Sequence, residues 1–411
     1  MIELQPVQAP RVTPTSKPAL VQRITAIDLL RALTMVLMIF VNDLWSLKNI
    51  PAWLEHVAPG VDGMGLADVV FPAFLFIVGL SLPYAIDNRR KKGDGEGWLV
   101  LHVVTRTIAL LVMGVFLVNG ETIHAAATGL PKYAWYPLSC LSFILIWNVY
   151  PKTAAKARVY GARALGVITL ITLAFIYRGG ADGSETFAPH WWGILGLIGW
   201  AYLVSGLVTI FSKNNFYAVL AAWAFFAGLS MVAKAGLLPD HPLVSGIPDA
   251  IRGGTLTGLT LGGVLTSLIF QYYQKTKNNQ GLTLVLVLFS ALLIGLSVIT
   301  RPYWKLAKLG ATPAWLFLCS AITILAFLAV YWLADVRRKA HWFNFIKPAG
   351  TDTLLCYLIP YFLYALVTIT GLYLPDVLLT GGIGLLKSLL FALLCVFITL
   401  LLNKAGVKLK L

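Results

Sequence analysis

The sequence predicts an all-α integral membrane protein, a polytopic bundle of about 10–12 transmembrane helices with both termini in the cytoplasm. Of its 411 residues, 58% are hydrophobic and only 12% are charged, whereas a soluble domain has about 25% charged residues. The mean hydropathy is +0.80. A soluble fold could not bury this much apolar surface, because surface area grows too quickly relative to volume.

Apolar runs of roughly membrane-spanning length recur along the whole chain. They lie at 26–48, 67–86, 99–119, 135–150, 161–177, 191–212, 216–236, 255–273, 281–299, 313–335, 354–372 and 382–403. Residues 1–23 are polar, contain four prolines and lack an apolar signal core, so we predict a disordered cytoplasmic tail there. Residues 24–411 then form a single transmembrane domain.

The net charge of +15 is distributed in a way that indicates membrane orientation. Basic clusters occupy every second loop, beginning with the run at 89–92, and the other loops carry most of the acidic residues. Basic loops face the cytoplasm in membrane proteins, which places both termini inside. No single basic patch forms, so we expect no nucleic-acid partner.

Ionisable side chains occur within the apolar runs near the predicted cytoplasmic end. Each needs a physical explanation, because a charged group inside a membrane is costly. Arg31 lies one turn from Asp28, and His102 lies one turn from Arg106. One interpretation is an ion pair for the first arginine and snorkelling to the interface for Arg106. The other is an anion site, since arginine holds phosphate oxygens in a bidentate fork.

A second polar group flanks the first predicted outer loop. Asn42 lies near the end of the first run, His56 lies in the loop, and Asp68 lies at the start of the second run. Asn42 could simply bond a neighbouring helix, and a lone loop histidine is more often a surface residue than a catalyst. The remaining histidines on this side lack metal-ligand spacing, and the four cysteines lie inside apolar runs, so we expect no metal site.

Residues 23–86 resemble the opening of the heparan-α-glucosaminide N-acetyltransferase family of transmembrane acyltransferases. The matching features are the Asp28-to-Arg31 segment, Asn42, His56 and the stretch Asp68-Val-Val-Phe-Pro. Ala32 replaces the family's glycine. Weaker matches are the segments 106–120, 312–315 and 350–357, with Asp352 where the family has asparagine. The middle of the chain departs from the family's motifs.

The resemblance implies that the transmembrane domain is an acetyl-CoA-dependent acyltransferase acting on a sugar or amino sugar across the membrane. His56 matches the family's catalytic histidine, as general base or covalent carrier, and Asn42 matches its active-site asparagine, a donor to the oxyanion. Asp68 either orients His56 or caps the second helix. From charge and position, we expect Arg31, His102 and Arg106 to bind the phosphates of acetyl-CoA.

Two other functions stay open at this point. A transporter of a small polar or anionic solute would need broken helices in related halves or mid-membrane acids, and neither is visible. A non-catalytic relative would share only the fold. From the lack of an N-terminal lumenal domain or signal peptide we expect a bacterial-type plasma (inner) membrane protein, and the lysosomal relatives suggest a homodimer.

Overall fold

Twelve long helices make up most of residues 24–411, the part of the chain that the computed structural model describes. They are α1 Thr25–Asp43, α2 Leu66–Lys91, α3 Glu96–Asn119, α4 Lys132–Trp147, α5 Lys156–Ile176, α6 Ile194–Phe211, α7 Phe216–Lys234, α8 Thr255–Lys275, α9 Asn279–Trp304, α10 Pro313–Tyr331, α11 Thr353–Thr370 and α12 Gly381–Lys404. Each coincides with one predicted apolar run. The predicted tail at 1–23 lies outside the described residues.

The prediction of a polytopic all-α bundle is confirmed. Ten of these helices are long and apolar enough to cross a membrane. The other two are α4, which has only 16 residues, and α8, which is rich in threonine and glycine. Hydropathy alone would miss these two helices, because neither contains an apolar stretch long enough to span the hydrocarbon core of a membrane.

Hydrogen bonds between loops divide the bundle into two ends. At one end, Val149 N donates to the carbonyl of Lys408 at 2.9 Å, and we call this the basic end because the basic loops lie there. At the other, Lys48 N donates to the carbonyl of Leu379 at 2.8 Å, and we call this the His56 end. Alternate loops therefore gather at opposite ends, as successive antiparallel spans require. That the basic end is cytoplasmic stays a prediction.

Helix α8 is packed in the centre of the bundle, where small residues allow close helix contact. A methyl group at Gly79 of α2 would collide with the carbonyl oxygen of Thr260, and one at Gly263 would collide with that of Phe76. The Thr260 hydroxyl donates to the carbonyl of Leu256 at 3.1 Å, so its burial costs little. Close backbone approach replaces hydrophobic driving force as the source of packing inside a membrane.

Helix α1 connects the two ends of the bundle at its core. It contacts α2, α10, α11 and α12, and most of its apolar side chains are buried. The polar residues at its two ends therefore lie inside the bundle or beside its loops. Each predicted group of functional residues includes one residue of α1, Arg31 at one end and Asn42 at the other.

Candidate active site

The candidate active site lies in the loop that joins α1 to α2 at the His56 end. Nδ1 of His56 lies 2.6 Å from Oδ1 of Asp68, in the first turn of α2. The Asp68 side chain is only 2% exposed, whereas 45% of the His56 side chain is exposed. Because an ionised carboxylate can only accept hydrogen bonds, we assign the ring proton to Nδ1 and the lone pair to Nε2. A buried anion thus orients a half-exposed imidazole.

The second carboxylate oxygen of Asp68 shapes the loop around His56. Oδ2 accepts from the backbone N–H groups of Val57 and Gly65, both at 3.1 Å. Gly65 is the N-cap of α2, so Asp68 supports the helix start from the third position rather than as the cap itself. Of the two roles weighed from the sequence, the contact with His56 is the one that the geometry allows, whereas the N-cap position belongs to Gly65. A side chain at Gly65 would collide with the carbonyl of Glu55.

The rest of this loop is bound to the last turn of α9 and to the segment between α9 and α10. Nε of Arg301 lies 3.0 Å from Oδ1 of Asp62, and the backbone N–H of Leu306 donates to the same oxygen at 2.8 Å. The Leu306 N–H and the guanidinium both hold the pKa of Asp62 below its usual range. Gly63 N donates to the carbonyl of Leu306 at 2.9 Å. Two segments distant in sequence are therefore joined by several hydrogen bonds.

That second segment also brings Lys308 to the imidazole. Its Nζ lies 3.3 Å from both Nδ1 and Nε2 of His56. Burial lowers the pKa of Lys308, and the nearby charge of Asp68 partly offsets this effect. The indole Nε1 of Trp315, in the first turn of α10, donates to the carbonyl of Asp68 at 3.0 Å. Sequence reasoning missed Lys308, because nothing in the chain order links it to His56.

At the basic end, a cavity of about 370 Å³ opens between α1, α2, α3, α6 and α11. Its volume lies within the range of small-molecule sites, about 300–1,000 Å³. Both Arg31 and Arg106 line it, together with Tyr202 and the chain segment 409–411. The structure therefore brings together two of the three residues expected to bind phosphate.

The two arginines differ in how they are held. Arg31 donates to Ser81 Oγ at 2.5 Å, to the carbonyl of Gly350 at 3.3 Å, and to Asp28 at 3.2 Å. The guanidinium carbon of Arg106 lies 4.8 Å from the centroid of the Tyr202 ring, a cation–π contact. Within residues 24–411, the buried Nε of Arg106 has no hydrogen-bond partner. A buried charged donor left without an acceptor is a site where an anionic oxygen would be stabilised.

One face of α1 runs from this cavity towards the His56 end. Arg31, Met35 and Met38 line the cavity, and Asn42 follows at the same helical spacing. The rise from Arg31 to Asn42 is about 17 Å at 1.5 Å per residue. Asn42 is exposed. No hydrogen bond within the described part of the chain joins it to His56.

Residues 23–234, just over half of the chain, match a protein family described as Domain of unknown function (DUF5009). The chain belongs to this family. The matched DUF5009 region contains all six predicted site residues and excludes Lys308.

Two curated proteins are similar to part of this DUF5009 chain. It is 30% identical over 130 residues to heparan-alpha-glucosaminide N-acetyltransferase of Mus musculus, covering 31% of this chain and 17% of that protein. It is 29% identical over 125 residues to the protein of the same name from Homo sapiens, covering 29% and 16%. The chain thus spans about a sixth of the length of these relatives. The resemblance stated from the sequence is confirmed as a partial similarity.

His102 is the predicted phosphate-binding residue that does not line the cavity. Its Nδ1 lies 3.1 Å from Nη2 of Arg89, which also contacts Asp94 at 2.9 Å through its other terminal nitrogen. The guanidinium can only donate, so Nδ1 of His102 accepts here. The i, i+4 spacing to Arg106 predicted a shared face, but the side chain packs against the end of α2. Its proposed role in phosphate binding gains no support from this position.

Asp352 lines the cavity, and its carboxylate binds the C-terminal segment. Its Oδ2 accepts from Leu409 N at 3.2 Å, and the Asn403 amide nitrogen, oriented to satisfy both of its polar groups, donates to the same atom at 2.9 Å. Burial raises the pKa of Asp352 to about 6. The folded protein therefore binds a proton at Asp352 more tightly than the unfolded chain, whose pKa is 3.8. This proton stabilises the fold at low pH, and the stabilisation is lost as pH rises from about 4 through 6.

We therefore expect Asp352→Asn to stabilise the DUF5009 protein at pH 7.5 by up to about 3 kcal/mol, since each pKa unit corresponds to about 1.36 kcal/mol. The gain should be smaller at pH 5 and vanish near pH 4. Unfolding in detergent micelles at these pH values measures it. Asp240→Asn, at an exposed loop carboxylate, should change little. An equal gain at every pH would show that titration of Asp352 is not the cause.

A buried polar cluster beside Asn42 was not predicted as such. Asp43 is 1% exposed and accepts hydrogen bonds from Lys387 Nζ at 2.7 Å, Ser388 Oγ at 2.6 Å and Tyr364 OH at 2.9 Å. The signal that could have found it is Lys387, a cation inside the apolar run of α12 that needs a buried partner.

Within residues 24–411, no three His, Cys, Asp or Glu side chains group as metal ligands. His124 and His241 instead cap short helices, Ala125–Thr128 and Pro242–Ser245, through Nδ1.

Proposed function

We propose that this chain is a transmembrane acetyltransferase that moves the acetyl group of acetyl-CoA to a sugar or amino sugar. The observation that carries the proposal is that an imidazole oriented by a buried carboxylate and a cavity with two arginines lie at opposite ends of α1 and α2. The partial similarity to two proteins named as glucosaminide N-acetyltransferases supports the acceptor class.

In this proposal the phosphates of acetyl-CoA bind in the cavity at the basic end. Arg31 offers a fixed guanidinium, and the buried Nε of Arg106 has an unmet donor. A phosphate oxygen would satisfy that donor with a charge-assisted bond. The thioester then lies along the α1 face of Arg31, Met35, Met38 and Asn42, which leads towards the His56 end.

At that end, His56 Nε2 removes the proton from the attacking amine or hydroxyl of the acceptor. Asp68 keeps the imidazole in the required tautomer and stabilises the imidazolium that forms. Proton return from Nε2 to the departing sulfur completes the transfer. The alternative, in which His56 first accepts the acetyl group itself, uses the same nitrogen. Asn42 lies on the face along which the thioester approaches, where its amide can donate to the carbonyl oxygen.

We further propose that acetyl-CoA enters from the cytoplasm and that the acceptor lies across the membrane, in a bacterial-type plasma membrane. The basic loops support this orientation, because lysine and arginine are enriched on the cytoplasmic side. The CoA moiety and the acceptor would then reach the protein from opposite sides of the membrane.

The proposed function is tested first by acetyl-CoA binding. We expect purified protein in detergent to bind acetyl-CoA in calorimetry, and Arg106→Met to weaken binding about 10–100-fold. This loss corresponds to one charge-assisted hydrogen bond of about 1.5–3 kcal/mol, with 1.4 kcal/mol for each factor of ten.

Arg252→Met is the matched control, since Arg252 forms an ion pair with Asp249 in a loop at the other end. It should leave the dissociation constant unchanged. Absence of acetyl-CoA binding by folded wild-type protein would reject the acetyltransferase proposal. Unchanged binding by Arg106→Met would remove the cavity from it.

A further inference from the structure

Lys308 occupies a position at the imidazole that no residue role assigned so far explains. Its Nζ lies 3.3 Å from each ring nitrogen of His56, and it approaches from the segment between α9 and α10. Because Nζ is equally far from both ring nitrogens, it lies off the lone-pair direction of either, so this is an electrostatic approach of the ammonium to the ring and not a strong hydrogen bond. Nδ1 donates to Asp68, and the lone pair of Nε2 stays available to a substrate.

We propose that Lys308 is a catalytic residue whose ammonium stabilises the oxyanion formed at the thioester carbonyl. This inference rests on the proposed acetyltransferase function. A nucleophile that gives its proton to Nε2 must lie about 2.6–3.2 Å from that atom. The carbonyl carbon it attacks is then adjacent, and its oxygen falls within reach of an ammonium that lies 3.3 Å from the same ring nitrogen.

The partial burial of Lys308 strengthens such an effect. Its ammonium is partly desolvated, and a positive charge held in place with less water around it stabilises a developing negative charge more than it would in bulk water. The free-energy cost of burying the ammonium is partly offset by Asp68, whose buried carboxylate lies beside the same imidazole. The titratable groups that face the ammonium are His56 on the loop, Asp68 on α2 and Cys319 on α10.

The chemical step balances without any further reagent. The acceptor nitrogen or oxygen forms a bond to the carbonyl carbon, and its proton passes to Nε2 of His56. The electron pair of the C=O bond moves to oxygen, where Lys308 donates to it. The pair then returns, the C–S bond breaks, and the sulfur takes the proton from His56. The same oxyanion forms if His56 itself is acetylated first, so the role of Lys308 does not depend on that choice.

The test is the rate of thiol release from acetyl-CoA with a panel of amino sugars and neutral sugars. We expect Lys308→Met to lower kcat about 10²–10³-fold, the usual effect of removing one oxyanion donor, with the KM for acetyl-CoA changed less than about 3-fold. Lys305→Met is the matched control, because this exposed lysine of the same segment donates to the carbonyl of Gly60, at 2.9 Å, and not to His56.

Lys308→Arg provides a readout that a structural role would not move. A guanidinium stays charged at all accessible pH values, whereas burial lowers the pKa of Lys308. Activity that needs the ammonium is therefore lost as pH rises through that lowered pKa. The arginine variant should keep part of the activity and shift the alkaline limb of the pH–rate profile upwards.

Unchanged kcat in a folded Lys308→Met protein would overturn the assignment, as would acetylation of Lys308 itself during turnover, detected by mass spectrometry. An inactive wild-type protein that fails to bind acetyl-CoA would instead reject the proposed function. If Lys308→Met unfolds, Lys308→Gln is measured in its place. The pH–rate profile of Lys308→Arg tests the assignment independently.

Discussion

His56→Ala should lower acetyl transfer about 10²–10⁴-fold, the usual contribution of a general base, and leave acetyl-CoA affinity within about 2-fold, as uniform binding is untouched. The separation follows from the structure, because the imidazole and the arginine cavity lie at opposite ends of α1. Transfer of a labelled acetyl group and calorimetry on the same preparation measure the two effects.

The control for this prediction is His241→Ala, which removes an exposed histidine that caps a short loop helix. It should retain full activity. Asp68→Asn adds a second comparison, since an amide can donate to Nδ1 and thereby favour the wrong imidazole tautomer. We expect a loss of a similar order for Asp68→Asn. Full transfer by a folded His56→Ala protein would exclude His56 as base and as acetyl carrier.

Lys387→Met should destabilise the protein by about 3–5 kcal/mol, because it leaves the carboxylate of Asp43 buried without its charge partner. Asp43 is 1% exposed and Lys387 20% exposed. Unfolding in mixed detergent micelles measures the change in free energy. Tyr364 and Ser388 would still donate to the carboxylate, but neither carries a compensating charge.

Lys48→Met is the matched control. Lys48 pairs with Asp376 at 3.0 Å, but the two side chains are 61% and 77% exposed. Such surface pairs contribute about 0–1 kcal/mol. Combining Asp43→Asn with Lys387→Met should recover much of the lost stability, since the buried charge is gone and the hydroxyl donors keep an acceptor. Equal effects of Lys387→Met and Lys48→Met would contradict the buried cluster.

The sequence predicted the helices well, because each apolar run must be helical to satisfy its backbone in lipid. Even α4 and α8, which do not meet the length and hydropathy of a membrane span, coincide with predicted runs. Helix α8 shows the limit of composition: its threonines and glycines are explained by close packing against α2, and not by contact with lipid.

The predicted site residues differ in their separation along the sequence and in the signal that grouped them. His56 and Asp68 are 12 residues apart, and the resemblance was enough to group them. The pairing of Arg31 with Arg106 followed from charge at the same membrane depth. His102 was grouped with Arg106 by charge, position and helical spacing, and none of these could reveal that Arg89 of the neighbouring helix occupies its Nδ1.

By itself, the sequence determined that this chain is a membrane bundle of helices, because the transfer of apolar side chains to lipid depends on composition and length. Only the tertiary structure decided which polar groups meet. Lys308 lies 252 residues from His56, and Lys387 lies 344 residues from Asp43. Such contacts depend on how helices far apart in the chain pack against each other, and hydropathy does not encode that arrangement.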